Sequence, residues 1–131
     1  MAAPSLRLDH LTILVSSMET SRRFHDVLLP MLGFTRTTRE NWTDGKGFFF
    51  QFQQAKPDTR PYERYAAGLN HLGFGAPDEA TVVSIRERLI AAGYDQAESQ
   101  DLKGAKALFV KDPDGLRFEI TYYPPGVNVV D

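Results

Sequence analysis

The sequence contains no cysteine among its 131 residues. Disulfide bonds, thiolate nucleophiles and thiolate zinc sites are therefore excluded, so any bound metal must be held by His, carboxylate or amide ligands. A chain without cysteine is compatible with a reducing compartment, and we expect a cytoplasmic protein.

Long apolar runs and an excess of one charge are also missing. No uninterrupted apolar run approaches the ~20 residues of a membrane span, and the first five residues lack the charged and apolar regions of a signal peptide. Fifteen Lys and Arg residues against seventeen Asp and Glu residues give a formal net charge of −2. This balance is unsuited to nucleic-acid phosphates or anionic lipid, so we expect neither as a partner.

The composition that is present, 42% hydrophobic and 24% charged residues, is typical of a globular protein. The length predicts one domain over residues 1–131. Within it the sequence repeats, because Leu8-Asp9-His10-Leu11 returns 61 residues later as Leu69-Asn70-His71-Leu72. Each copy predicts a strand, then an amphipathic helix, then two or three strands.

Helix signals occur at matching places in the two copies. Ser17 is a suitable N-cap for the first helix, and Pro30 is expected to disturb its last turn. Pro77 suits the first position of the second helix. The apolar stripes that Gly33 and Gly93 terminate are Phe24, Leu28 and Leu32 in the first copy and Val82, Ile85, Leu89 and Ala92 in the second.

Side chains alternate between the two faces of a strand, which divides the predicted strands into two sets. One set is large and apolar and suits packing under the helices: Leu11, Ile13, Val15, Phe48, Phe50, Phe52, Leu72, Phe74, Phe118 and Ile120. The other set consists of His10, Thr12, Gln51, Gln53, His71, Gly73, Arg117, Glu119 and Thr121. By parity alone this second face is either a solvated surface or a concave face around a ligand.

Three residues of the second face have the chemistry of a metal site. His10, His71 and Glu119 form a possible facial triad, which would leave coordination positions for substrate or water. His25 is interpreted as helix packing or surface, and Trp42 as core. The irregular stretch 55–68 is either a lid or a connector, and the connector is favoured.

The sequence resembles the vicinal oxygen chelate superfamily, which includes glyoxalase I, fosfomycin-resistance thiol transferases, extradiol dioxygenases and bleomycin-resistance proteins. The resemblance covers nearly the whole chain. Its marks are the segments Asp9 to Val15, Ser21 to Phe24, Leu29 to Phe34, Asn70 to Phe74, Ala91 to Tyr94 and Asp112 to Glu119.

The resemblance implies an α+β fold made of two tandem βαβββ modules. Module one would span about residues 6–54 and module two about residues 69–124, joined by the connector 55–68. The modules would form a curved mixed sheet around a concave metal site, with the helices on the outer face. A homodimer whose sites take residues from both subunits is also implied.

The metal-ligand pattern of the superfamily falls on His10, His71 and Glu119, which implies one divalent ion per chain (Zn, Ni, Mn or Fe). A fourth ligand would be Gln51, although Gln53 has the same parity. An amide is a weaker ligand than the carboxylate that glyoxalase I has there. Glu119 is the expected catalytic residue, and the expected substrate-contacting residues are Thr12, Gln53, Arg117 and Thr121.

Three functions remain open on these residues. The leading one is a glyoxalase I-like lyase or isomerase that chelates two neighbouring oxygens of a small substrate and transfers a proton. A dioxygenase or thiol transferase would use the same triad. A dimer of the bleomycin-resistance type would bind a drug without catalysis.

Overall fold

The structure is a computed structural model that describes residues 3–96, 98–127 and 130. These residues form ten elements in chain order: β1 (His10–Val15), α1 (Met18–Met31), β2 (Thr35–Arg36), β3 (Trp42–Thr43), β4 (Phe49–Gln54), β5 (His71–Gly75), α2 (Glu79–Ala91), β6 (Gln100–Leu102), β7 (Ala105–Lys111) and β8 (Arg117–Tyr122). The fold is α+β, and each half is a strand, a helix and three strands. Within the described residues, neither helix is long and apolar enough to cross a membrane.

The helices begin at side-chain caps. Ser17 is the N-cap of α1, as predicted, and its hydroxyl accepts the backbone N–H of Thr20 at 3.2 Å. Pro30 lies in the last turn of α1, which ends one residue later. The prediction that Pro77 is the first residue of α2 is wrong, because the carboxylate of Asp78 accepts the N–H of Thr81 at 2.7 Å and makes Asp78 the N-cap.

The apolar stripe of α2 is shorter than predicted. Val82, Ile85 and Leu89 are buried, whereas Ala92 is the exposed C-cap. The helix has ended at this point, so Ala92 no longer continues the face that packs on the sheet.

The strands form two four-stranded mixed sheets, in the orders β1-β4-β3-β2 and β5-β8-β7-β6. In each sheet the first strand of the module pairs in parallel with the last strand. Thr12 lies opposite Gln51 in one sheet, and Gly73 lies opposite Glu119 in the other. The two registers coincide, so Gln51 occupies in module one the position that Glu119 occupies in module two.

One hydrophobic core is shared by both sheets and both helices. All ten positions predicted to face the core belong to it, either buried or packed against it. Phe50 of β4 contacts Phe74 of β5 and Phe118 of β8, with ring centroids 6.2 Å and 6.4 Å apart. Because the core faces of the two sheets contact each other, their opposite faces point away from the shared core. The helices pack on the core side, so these two open faces carry the candidate site residues.

We predict that truncating Phe50 destabilises the whole chain, because its ring joins the two modules. Phe50→Ala is expected to lower the free energy of unfolding by about 3–5 kcal/mol. Leu14→Ala, at a half-exposed position of an open face, is the control and is expected to cost less than about 0.5 kcal/mol. Urea denaturation measures both. Two separate transitions, of which only one shifts in Phe50→Ala, would show that the modules unfold independently.

Candidate metal and substrate site

The open face of module two brings two of the predicted ligands together. His71 Nε2 lies 3.9 Å from Glu119 Oε1, and the side chains are 40% and 18% exposed. Gly73 lies opposite Glu119, and a Cβ at position 73 would lie 3.4 Å from Glu119 Oε2, in van der Waals contact with the carboxylate. An imidazole and a carboxylate in this arrangement suit a divalent ion or a proton transfer.

The open face of module one carries His10, Thr12 and Gln51. The Thr12 hydroxyl donates a hydrogen bond to Gln51 Oε1 at 3.0 Å, so the amide oxygen is already held on this face. The His10 ring stacks on Phe49, with centroids 4.8 Å apart. Module one thus offers an imidazole and an amide where module two offers an imidazole and a carboxylate.

The residue before each histidine fixes the imidazole ring. Asp9 Oδ2 lies 2.8 Å from His10 Nδ1, and Asn70 Oδ1 lies 2.7 Å from His71 Nδ1. The hydrogen bond to His10 is also the main reason why the pKa of Asp9 lies below its usual value. A carboxylate or amide that holds Nδ1 leaves Nε2 for a ligand, as is usual for metal-binding histidines. The sequence analysis missed this role, although its signal was the polar residue repeated before each histidine.

The two half-sites do not join within one chain. Among the described residues, no three His, Asp or Glu side chains come close enough together to hold a metal ion. His71 and Glu119 form a pair, whereas His10 lies on the other module, whose open face points away from the shared core. The assignment of His10, His71, Glu119 and Gln51 as ligands therefore stays a prediction.

The predicted substrate residues have different surroundings. Thr12 and Gln53 are exposed on the open face of module one. Arg117 lies opposite His71, and its buried Nε has no hydrogen-bond partner among the described residues. Thr121 is only 3% exposed, and its hydroxyl has no partner within the same residues. Thr121 is therefore buried, although its strand parity is that of Glu119, and its contact with substrate stays a prediction.

The connector 55–68 joins the modules and also lines a cleft. Tyr62 donates its hydroxyl to the carbonyl oxygens of Leu69 and Asn70, at 2.8 and 3.0 Å, which fastens the connector to the start of β5. Connector residues and the open-face side chains Thr12 and Leu14 border an open cleft of about 400 Å³. This volume is in the range of small-molecule sites, so the connector forms a wall beside module one's half-site.

The turn before β8 is built by a buried carboxylate. Asp112 Oδ1 accepts the N–H groups of Asp114 and Leu116, both at 2.9 Å, and burial raises the pKa of Asp112 to about 6. Asp114 in turn accepts the N–H of Ser16 at 3.1 Å and the Ser16 hydroxyl. The turn thus attaches the start of β8, which carries Glu119, to the loop between β1 and α1.

His25 is a packing residue, one of the two interpretations that its sequence position left open. It is 2% exposed and stacks on Phe52 with ring centroids 3.8 Å apart. Burial lowers its pKa to about 4, against a smaller opposing effect of Asp114. Trp42, 6% exposed, belongs to the core as predicted. Neither residue is part of the open-face half-sites.

Comparison with known proteins identifies the family and a relative of this chain. Residues 7–120 match the family model of the Glyoxalase/Bleomycin resistance protein/Dioxygenase superfamily. The protein YqjT of Bacillus subtilis (strain 168), whose name calls it uncharacterized, is 34% identical over 125 residues, which cover 86% of this chain and 96% of YqjT.

Solved structures show the same fold. A candidate glyoxalase from Bacillus halodurans superposes with a TM-score of 0.77 at 26% identity, over 88% of this chain and 95% of that one. A glyoxylase/bleomycin resistance protein/dioxygenase domain from Frankia sp. EAN1pec gives a TM-score of 0.76 at 18% identity, over 91% and 98% of the two chains.

We predict that His25 and Asp112 give opposite pH dependences of stability. The pKa of His25 is about 4 against a usual value of 6.5, so the unfolded chain binds more protons and stability falls as the pH drops through this window. The pKa of Asp112 is about 6 against 3.8, so the folded chain binds more protons and stability rises as the pH drops. Each effect amounts to about 3 kcal/mol, so the two nearly cancel.

A variant that lacks one of these two groups should therefore show the pH dependence of stability that the other group causes. Relative to the wild type, His25→Leu is expected to gain stability between pH 7 and pH 4. Asp112→Asn, which keeps an oxygen acceptor for the turn, is expected to lose stability over the same interval. Urea denaturation at four pH values measures these changes, and identical pH profiles for all three proteins would contradict the assignment.

Proposed function

We propose that this chain, which belongs to the Glyoxalase/Bleomycin resistance protein/Dioxygenase superfamily, is a metal-dependent enzyme acting on a small substrate with two neighbouring oxygens. The proposed reaction is a proton transfer of the glyoxalase I type, which would make the protein an isomerase or a lyase. The approach of His71 Nε2 to Glu119 Oε1, 3.9 Å apart on one open face, carries this proposal.

The donor groups present fit a divalent ion. His71 and Glu119 would hold it from module two, and His10 and Gln51 from module one. Imidazole, carboxylate and amide donors are compatible with Zn, Ni, Mn or Fe. Bound to both substrate oxygens, such an ion would stabilise the negative charge that develops on them.

Glu119 is proposed to move the proton. It is the only carboxylate among the four proposed ligands, and its side chain is largely shielded from water, which suits a proton acceptor. Asn70 holds the His71 ring, so the imidazole beside Glu119 keeps its orientation while the proton is transferred. Thr12 and Gln53 would contact the substrate from the module-one side.

A homodimer is proposed because one chain presents its half-sites on different faces. In a symmetric pair, the module-one face of one copy would meet the module-two face of the other, and two equal sites would result. β1 and β5, which carry the two histidines, are both edge strands and are available for such pairing. We expect this dimer to work in the cytoplasm on a small molecule, without nucleic-acid or membrane partners.

Two alternatives use the same surfaces. A dioxygenase or thiol transferase would share the ligand set, and the identity of the metal would separate them, since iron(II) favours dioxygen chemistry. A non-catalytic drug-binding dimer is favoured by one observation, the cleft of about 400 Å³ beside Thr12 and Leu14. Such a dimer would bind its ligand equally well without Glu119.

We predict that Glu119→Gln weakens metal binding and abolishes turnover, because it removes the only anionic ligand and the proton acceptor. Gln51→Ala should spare part of both, because an amide supplies only a dipole. Metal content after dialysis against each candidate ion measures the binding, with one ion per wild-type chain expected. If Glu119→Gln kept full metal affinity and activity, the binding-dimer alternative would become the better account.

We predict that two defective variants complement each other when mixed. His10→Ala and Glu119→Gln each spoil both sites of their own homodimers. After joint unfolding and refolding, half of the dimers are mixed and each has one intact site, so tight metal binding returns to about a quarter of the wild-type level. The control is each variant refolded alone. No recovery in the mixture would mean that the site does not combine the two chains.

A further inference from the structure

A row of basic side chains crosses the open face of module two. His71, Arg117 and Lys111 lie directly opposite one another on β5, β8 and β7. Residues paired in this way share a face, and across the antiparallel pair of β8 and β7 the Cβ atoms of Arg117 and Lys111 lie ~4.5–5.5 Å apart. The side chains of Arg117 and Lys111 therefore leave the sheet on one face, next to that of His71.

The positive charges of this row are not neutralised within the described residues. Neither Arg117 nor Lys111 forms an ion pair there. Glu119, on the same face two residues further along β8, lies 3.9 Å from His71 Nε2, and the buried carboxylate of Asp112 accepts backbone N–H groups of the turn before β8. Arg117 Nε is moreover buried without a hydrogen-bond partner. Like charges directly opposite each other destabilise a sheet, and so does a buried N–H without a hydrogen-bond acceptor. An anion bound between Arg117 and Lys111 would relieve both effects.

Module one shows that the fold does not require these cations. The equivalent row there is His10, Phe49 and Thr43, in the same register. Phe49 stacks on His10 and closes the position that Arg117 fills in module two. The row is thus a feature of module two alone, and a structural role common to both repeats does not explain it.

We propose that Arg117 and Lys111 form a subsite for an oxyanion of the substrate. This inference rests on the proposed function, since it assigns the acidic group of the molecule that would react beside Glu119. The fork of an arginine and the point charge of a lysine suit a carboxylate or a phosphate. Arg117 and Glu119 are two residues apart on one face, a step of ~7 Å along the strand. On this proposal the substrate is a small acid that carries an anionic group in addition to its two neighbouring oxygens.

The subsite is tested without metal, by calorimetric titration of the full chain with malonate and with inorganic phosphate at low ionic strength and in the presence of EDTA. Arg117→Gln and Lys111→Gln are compared with Arg39→Gln and Lys56→Gln, which make the same charge change at exposed positions. Each subsite variant is expected to weaken anion binding about tenfold, because it removes a charged hydrogen-bond donor. The matched controls should stay within about twofold of the wild type, because they remove only long-range charge.

The anion that binds more tightly identifies the substrate's acidic group as a carboxylate or a phosphate. Equal losses in subsite and control variants would overturn the proposal, as would a wild type that binds neither anion at tens of millimolar. Thermal unfolding checks that the variants are folded. If Arg117→Gln does not fold, the proposal is tested with Lys111→Gln alone, because Lys111 is exposed.

Metal content measured in parallel separates this proposal from the proposed function. Anion binding that depends on Arg117 in a chain that binds no metal would leave the subsite standing and remove the enzyme assignment. Normal metal binding with anion affinity unchanged in both subsite variants would remove the subsite alone.

Discussion

The contact of Phe50 with Phe74 and Phe118 decides where every candidate functional residue lies. Burial of these rings draws the core faces of the two sheets together and gives the small chain one shared core. The same contact turns the polar faces outward. The proposed metal site made from both modules would thereby be divided between two surfaces, so the interaction that stabilises the fold would also make a second copy necessary for that site.

The alternation of side chains in the sequence was sufficient to predict the core. All ten positions assigned to the apolar set pack there, because the two-residue period of a strand is a local property. The N-cap at Ser17 was predictable for the same reason, because it depends on residues only three positions apart. Alternation says which side chains share a face of one sheet, but it does not say how two sheets are turned relative to each other. Hence His10 and His71 were expected around one volume, whereas within the chain they lie on different faces.

Other features depend on contacts that no single segment contains. The Arg117 and Lys111 row exists only because β7 and β8 pair in one particular register. Thr121 has the parity of an open-face residue, but it is closed to solvent, which parity cannot reveal. The hydrogen bonds of Asp9 and Asn70 were within reach of the sequence, since the repeat places a polar side chain before each histidine.

The two modules share a backbone register but differ in charge. Glu119 is matched by the neutral Gln51, and Arg117 is matched by Phe49. A site that combined one half of each kind would place a divalent cation against a single carboxylate and leave it with net positive charge. Arg117 and Lys111 would add to that charge. Such an excess of positive charge disfavours a cationic ligand and stabilises an anionic one. The stabilisation is largest when negative charge develops on the substrate during the reaction. The neutral Gln51 in module one and the cations Arg117 and Lys111 in module two would thus favour the same kind of substrate.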